Sequence, residues 1–160
     1  MPRLQPFGPL TLRLALGAVF MAHGAQKVFG LWGGTGPSGT AAFFSELGLR
    51  PAYPLALIVS LVELAGGLLL AAGAFTPITA AVLAIDMSVA VWKVHLPNGF
   101  FINWMNAPGV GHGYEFNFVL LAGLVCLILT GPGAFSIDGR RASSAEAEAA
   151  GRARLRAGKV

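Results

Sequence analysis

Charged side chains are scarce: they make up 11% of the 160 residues, against 55% hydrophobic ones. A soluble domain carries about 25% charged residues, so this composition excludes an ordinary water-soluble globule. A mean hydropathy of +0.69 points the same way, to one integral membrane domain with the lipid bilayer as its first partner. Cysteine is almost absent. Cys126 stands alone in an apolar run, where it reads as a core residue, so there is no intrachain disulfide and no CxxC pair. Of three histidines only His23 lies well inside an apolar run, which leaves a bis-histidine haem without its second ligand. A zinc site from His23, His95, His112 and a carboxylate would need a loop folded inward, and no metal is assigned. The glycines of Trp32-Gly33-Gly34-Thr35-Gly36-Pro37 are followed by no GK[ST] and preceded by no strand, so they make no phosphate loop. No nucleophile–base pair is present.

What the chain does have is long apolar runs. Leu10–Phe29 is broken only by Arg13, His23, Gln26 and Lys27. Pro54–Phe75 is a run of 22 residues whose one charge is Glu63; Thr76-Pro77 interrupts it, and Ile78–His95 follows with Asp86 and Lys93. Phe116–Thr130 is a shorter fourth run. At about 1.5 Å per residue the longer runs cross a hydrocarbon core of about 30 Å. The expected fold is all-α, a membrane-spanning four-helix bundle. A short interfacial helix is predicted in the first loop, over Thr40–Leu49, with Phe43, Phe44 and Leu47 on one side. Arg13 and Lys27 are expected to snorkel to opposite surfaces. Gly66-Gly67, one turn from Glu63, is read as a helix-packing face.

Net charge is +4, but six of the eleven Lys and Arg follow residue 139, which speaks to topology and not to nucleic acid. Four spans put both termini on one side, and the positive-inside rule makes that side cytoplasmic in a plasma membrane. The domain division is 1–139, the transmembrane domain, and 140–160, a basic cytoplasmic tail in which Ser143-x-x-Glu146 has the form of a capping box. The tail reads equally as a basic helix on anionic lipid or as a disordered segment. The two long loops are then external. His23, Gln26, Lys27, Glu63, Asp86, Lys93 and Glu115, with His95 and His112, all fall toward that outer side and predict one outward-facing polar pocket. A charge within a span costs about 2.5–3.5 kcal/mol, so Glu63 and Asp86 should face protein, water or a partner. Lys93 is expected to bridge to Glu115 or Asp86. Phe100, Phe101 and Trp104 sit above the pocket, as its lid or as an aromatic belt at the headgroups.

Arg13…Gly17…Phe20…His23-Gly24-x-Gln26-Lys27 resembles the opening motif of the DoxX family. So do Glu63-Leu64-x-Gly66-Gly67, Phe75-Thr76, Asp86-Met87, Asn98-Gly99-Phe100-Phe101, Gly113-Tyr114-Glu115-Phe116 and Gly131-Pro132-Gly133-x-x-Ser136-x-Asp138. The match runs over residues 10–139. The resemblance implies a four-helix membrane protein and a link to membrane redox complexes, since the family is named for a subunit associated with thiosulfate:quinone oxidoreductase. The expected function is therefore a redox-associated accessory subunit whose pocket takes a quinone or a similar small molecule. His23 and Gln26 would hydrogen-bond a carbonyl, Glu63 or Asp86 would exchange protons, and a flavin or metal would come from a partner subunit. Two alternatives stand beside it: a proton-coupled small-solute carrier, acting as a homo-oligomer, and a structural assembly subunit.

Overall fold

The computed structural model describes residues 4–157, and among these the regular structure is entirely helical. Helix α1, Phe7–Phe29, stops at Gly30, whose left-handed backbone (φ 69°) lets its N–H return to the Gln26 carbonyl at 3.0 Å. The chain then bends by 102° into the segment Leu31–Glu46, which contains α2, Gly36–Glu46, with Pro37 in its first turn. Helix α3, Ala52–Ala72, ends at Gly73, and α4, Thr76–Ala90, begins immediately with Pro77 at its start. It continues through a π-helical turn, Val91–His95, where the Leu96 N–H reaches back five residues to Val91. After a long loop come α5, Glu115–Thr130, and α6, Ile137–Ala157.

The core is formed where α1, α3, α4 and α5 meet, by Leu16, Phe20, Leu70, Leu83, Leu124 and Leu127. Outside it, Leu68 (61% exposed), Ile85 (67%) and Leu129 (79%) face outward. Lipid is as apolar as these side chains, so close packing must hold the helices together. It does so at glycine: a Cβ on Gly17 would stand 2.7 Å from the Gly67 carbonyl oxygen, and one on Gly67 would stand 2.6 Å from the Met21 nitrogen. Gly66 meets Leu83 of α4. The packing role expected for Gly66-Gly67 is the one observed.

By length and apolarity α3 and the segment Thr76–Asn98 each suffice to cross a membrane. α1 qualifies only jointly with the bent segment after it, and α5 is a shorter apolar helix of 16 residues.

Three local expectations are corrected. Arg13 does not snorkel: it is 1% exposed, and its guanidinium donates to the carbonyls of Ala71 (2.9 Å), Ala134 (2.7 Å) and Phe135 (2.7 Å). The carbonyls left free at the end of α3 and in the turn before α6 supply acceptors nearer than any headgroup. Cys126 is exposed, because Leu120, Leu124 and Leu127 take the inner face of α5. The tail helix starts before Ser143: Ser136 Oγ accepts the Gly139 N–H at 3.0 Å and is the N-cap, while Ser143 Oγ donates to the Arg140 carbonyl inside the helix.

Asp138 closes the same end of the molecule. Its carboxylate accepts the N–H groups of Phe75 and Thr76 and the Thr76 hydroxyl, at 2.8, 2.8 and 2.9 Å, and so caps α4 from a distant part of the chain. Partial burial opposes its charge, but these hydrogen bonds outweigh that and hold its pKa below the usual carboxylate value.

Candidate functional site

At the opposite end, α1, α2, α3, α4 with its extension, and α5 surround a cavity of about 530 Å³. Most of its wall is apolar, from Val19 and Phe20 of α1 to Phe116 and Leu120 of α5. Into it project His23, Lys27, Glu63, Asp86, Lys93, His95, His112 and Asn117. Residues scattered over some 95 positions of sequence therefore share one chamber. Helical spacing accounts for each element: His23 and Lys27 are four apart on α1, and Asp86, Ala90 and Lys93 follow one face of α4. The π turn shifts the register beyond Ala90, so that His95, five residues on, also reaches the wall.

Lys27 and Glu63 form an ion pair, with 26% and 7% of their side chains exposed. Asp86 is different. Its Oδ2 is buried with no hydrogen-bond partner, in the wall of the same cavity. A buried oxygen of this kind needs a proton, a water or a ligand. His95 Nδ1 lies 2.9 Å from the His112 carbonyl. A carbonyl only accepts, so Nδ1 carries the hydrogen and Nε2 remains an acceptor in the neutral ring. Asn117 donates to the Met87 sulfur at 2.9 Å.

Several expected site residues stand elsewhere. Gln26 is outside the cavity wall, with Nε2 3.4 Å from the Trp32 carbonyl. Consecutive residues of a helix are about 100° apart, so Lys27 pointing inward turns Gln26 away. Glu115 accepts the Ile102 N–H at 2.9 Å and pins the loop before α5. Lys93 pairs with neither Glu115 nor Asp86; its ammonium lies 4.0 Å from the centre of the Trp92 ring. Phe100 packs on Tyr114 and Phe118, while Phe101 and Trp104, each 75% exposed, project outward, and none of the three lines the cavity. The aromatic cover comes instead from Phe43 and Phe44 of α2, followed by Leu47 and Leu49, and the second loop contributes Ile102, His112 and Gly113. Phe44 is clamped between α2 and α3 with Ala41 and Ala56, which holds that cover down. Asn117 joins the cavity residues, and an amide in the apolar run of α5 is the same kind of sequence signal as Glu63. Among the described residues no three His, Cys, Asp or Glu side chains converge as a metal site, so the set of His23, His95 and His112 does not assemble.

The DoxX family model matches residues 8–96, which hold His23, Lys27, Glu63, Asp86, Lys93 and His95. The chain belongs to the DoxX family. It is 32% identical over 131 residues to the "Putative oxidoreductase CatD" of Bacillus subtilis, covering 82% of this chain and 84% of that protein. It is 31% identical over 145 residues to the "Uncharacterized membrane protein Rv3486" of Mycobacterium tuberculosis, covering 89% and 86%. It is 30% identical over 139 residues to the "Inner membrane protein YqjF" of Escherichia coli, covering 86% and 95%. No solved structure matches the chain. This DoxX chain is a membrane protein, and the two ends of its bundle differ. Arg13, Thr76 and Asp138 build the clasp at one end, and His23, Lys27, Glu63 and Asp86 line the chamber at the other.

Proposed function

We propose that the chain is an integral membrane subunit associated with redox chemistry, and that its cavity receives the headgroup of a quinone or a similar small molecule with ring carbonyls. The observation that carries this is Asp86, a half-buried carboxylate whose buried Oδ2 has no hydrogen-bond partner, in an apolar-walled chamber of about 530 Å³. Ligand cavities fall in the range of about 300–1,000 Å³ and combine such walls with a few polar groups. One relative's name, putative oxidoreductase, supports the redox association.

In this reading α1, α3, α4 with its extension, and α5 are four spans. Both termini and the basic stretch 140–160 are cytoplasmic, and the cavity faces outward. A reporter fused at residue 160 should read cytoplasmic, and an external reading would invert the cavity. The chemistry assigned to the chain is binding and proton handling. His23 and the Lys27 ammonium donate to ring oxygens, and Asp86 in its protonated form passes a proton to an oxygen that gains charge on reduction. Reduction to the hydroquinone takes two electrons and two protons: the electrons come from a partner subunit, and Asp86 delivers the two protons in turn, being reprotonated by water from the outer side after the first.

The test is quenching of tryptophan fluorescence by a short-chain quinone analogue in detergent. Asp86→Asn should abolish saturable quenching while circular dichroism and melting stay close to wild type. Wild-type protein that quenches with no quinone would end this reading, leaving a proton-coupled solute site in its place.

A further inference from the structure

The clasped end of the molecule carries a feature that the cavity does not use. Asp138 ties the start of α6 to the first turn of α4, and the Ala134 N–H reaches the Pro6 carbonyl at 2.8 Å. Helix α6 therefore leaves the bundle at the end where the apolar spans α3 and α4 meet. Large apolar side chains crowd this end and face outward: Phe135 is 75% exposed, Ile78 67% and Phe75 52%. Phenylalanine has no polar tip to reach the headgroups, so these exposed rings belong to the acyl region just beneath them. Directly beyond them, Arg140 and Arg141 line an open groove with Ile137, Ser144 and Glu148. The groove's acid does not cancel this pair, because Glu148 is engaged by Arg152. The Arg141 guanidinium lies 5.1 Å from the Phe75 ring centre, so it is held at the edge of this apolar rim.

We propose that this groove is a binding site for the headgroup of an anionic phospholipid, with Arg140 and Arg141 as its phosphate donors. The occupant follows from position and charge together. The Arg141 guanidinium held beside the exposed Phe75 ring, with Arg140 next to it in the groove, stands just beyond the apolar rim where lipid phosphates lie, and arginine offers paired N–H donors that match a phosphate. A peptide partner would leave the rim without a reason, whereas a lipid fills both parts, acyl chain on Phe75 and Phe135 and phosphate in the groove. The site secures α6 along the membrane surface, independently of the cavity's ligand.

The experiment uses the full chain in nanodiscs with a polarity-sensitive fluorophore at position 144, introduced as Ser144→Cys in a Cys126→Ala background. Discs of phosphatidylcholine alone are compared with discs of equal parts phosphatidylcholine and phosphatidylglycerol. The probe should shift to the blue and become shielded from an aqueous quencher only in the anionic discs. Raising salt should reverse this. Each arginine near an anionic surface shifts the balance roughly fivefold, so Arg140→Gln with Arg141→Gln should reduce the docked-to-free ratio about thirtyfold. Equal emission in both kinds of disc would overturn the proposal. So would an anionic shift that survives the double substitution, since the other basic residues of α6 would then account for it. A shift produced by inorganic phosphate in phosphatidylcholine discs would make the groove a soluble-anion site and overturn it equally.

Discussion

Replacing Arg13 should be among the most damaging single changes in this protein. Its guanidinium is 1% exposed and satisfies the carbonyls of Ala71, Ala134 and Phe135, joining the end of α3 to the turn that precedes α6. Arg13→Met keeps much of the stem's packing but leaves three carbonyls without a donor. Hydrogen bonds to a charged group contribute about 1.5–3 kcal/mol each in soluble proteins. Side-chain hydrogen bonds inside membrane proteins average about 0.6 kcal/mol. Three bonds thus bracket a loss of about 2–9 kcal/mol, and full burial places the value in the middle, about 5 kcal/mol. At about 2–4 °C per kcal/mol for a chain of this size, melting in detergent should fall by about 10–20 °C. Arg13→Lys, which can reach one of the three carbonyls, should fall between. The neighbouring Leu14→Ala, on an outward face, is the control. If Arg13→Met melts within about 0.5 kcal/mol of that control, the clasp is not a support and the arginine behaves as a surface residue.

Lys27→Met should destabilise by up to about 3–5 kcal/mol because it strands Glu63, and adding Glu63→Gln should recover most of it; a double variant as unstable as the single one would show that the pair is not what matters. Asp138 has a folded-state pKa below its unfolded value of about 3.9, so its stabilisation is present above that pH and is lost as pH falls through the folded pKa. Asp138→Asn should therefore cost about 0.5–2 kcal/mol at neutral pH and converge with wild type in strong acid; a constant gap across the pH series of melting curves would refute the capping role. Phe43→Ala, in the cavity wall, should weaken binding of the quinone analogue by about 0.5–1.5 kcal/mol, while Phe101→Ala and Trp104→Ala should leave it unchanged, and the reverse order in quenching titrations would return the lid to the second loop.

Much of this architecture is legible in the chain because membrane helices write their constraints locally. Apolar runs of 20 or so residues, and the break at Thr76-Pro77, mark α1, α3 and α4 without any knowledge of their neighbours, although α3 ends at Gly73, within the run that reads as continuous to Phe75. Charges are costly in lipid, so Glu63 and Asp86 announce themselves as cavity residues by their mere presence in those runs. Helical spacing then brings His23 and Lys27 to the same wall.

Pairings were not legible, because a side chain's partner is decided by which acceptor is nearest in three dimensions. Arg13 had two ways to avoid lipid, the headgroups or a buried carbonyl cluster, and only the meeting of α3's end with residues 134 and 135 selects the second. Lys27 and Lys93 look equivalent in sequence, yet α1 packs closely enough on α3 for Lys27 to reach Glu63, while Lys93 rests on Trp92. The cover over the cavity follows the same logic: two loops carry aromatic pairs, Phe43-Phe44 and Phe100-Phe101, and either could close it. The 102° bend after α1 folds Phe43 and Phe44 over the chamber, while Phe100 packs on Tyr114 and Phe118, Phe101 faces outward, and the second loop reaches the wall through Ile102 instead. Composition and periodicity determine which residues must leave the lipid; only the packing of helices distant in sequence determines where each of them goes, because that choice depends on distances of a few ångströms that no local pattern encodes.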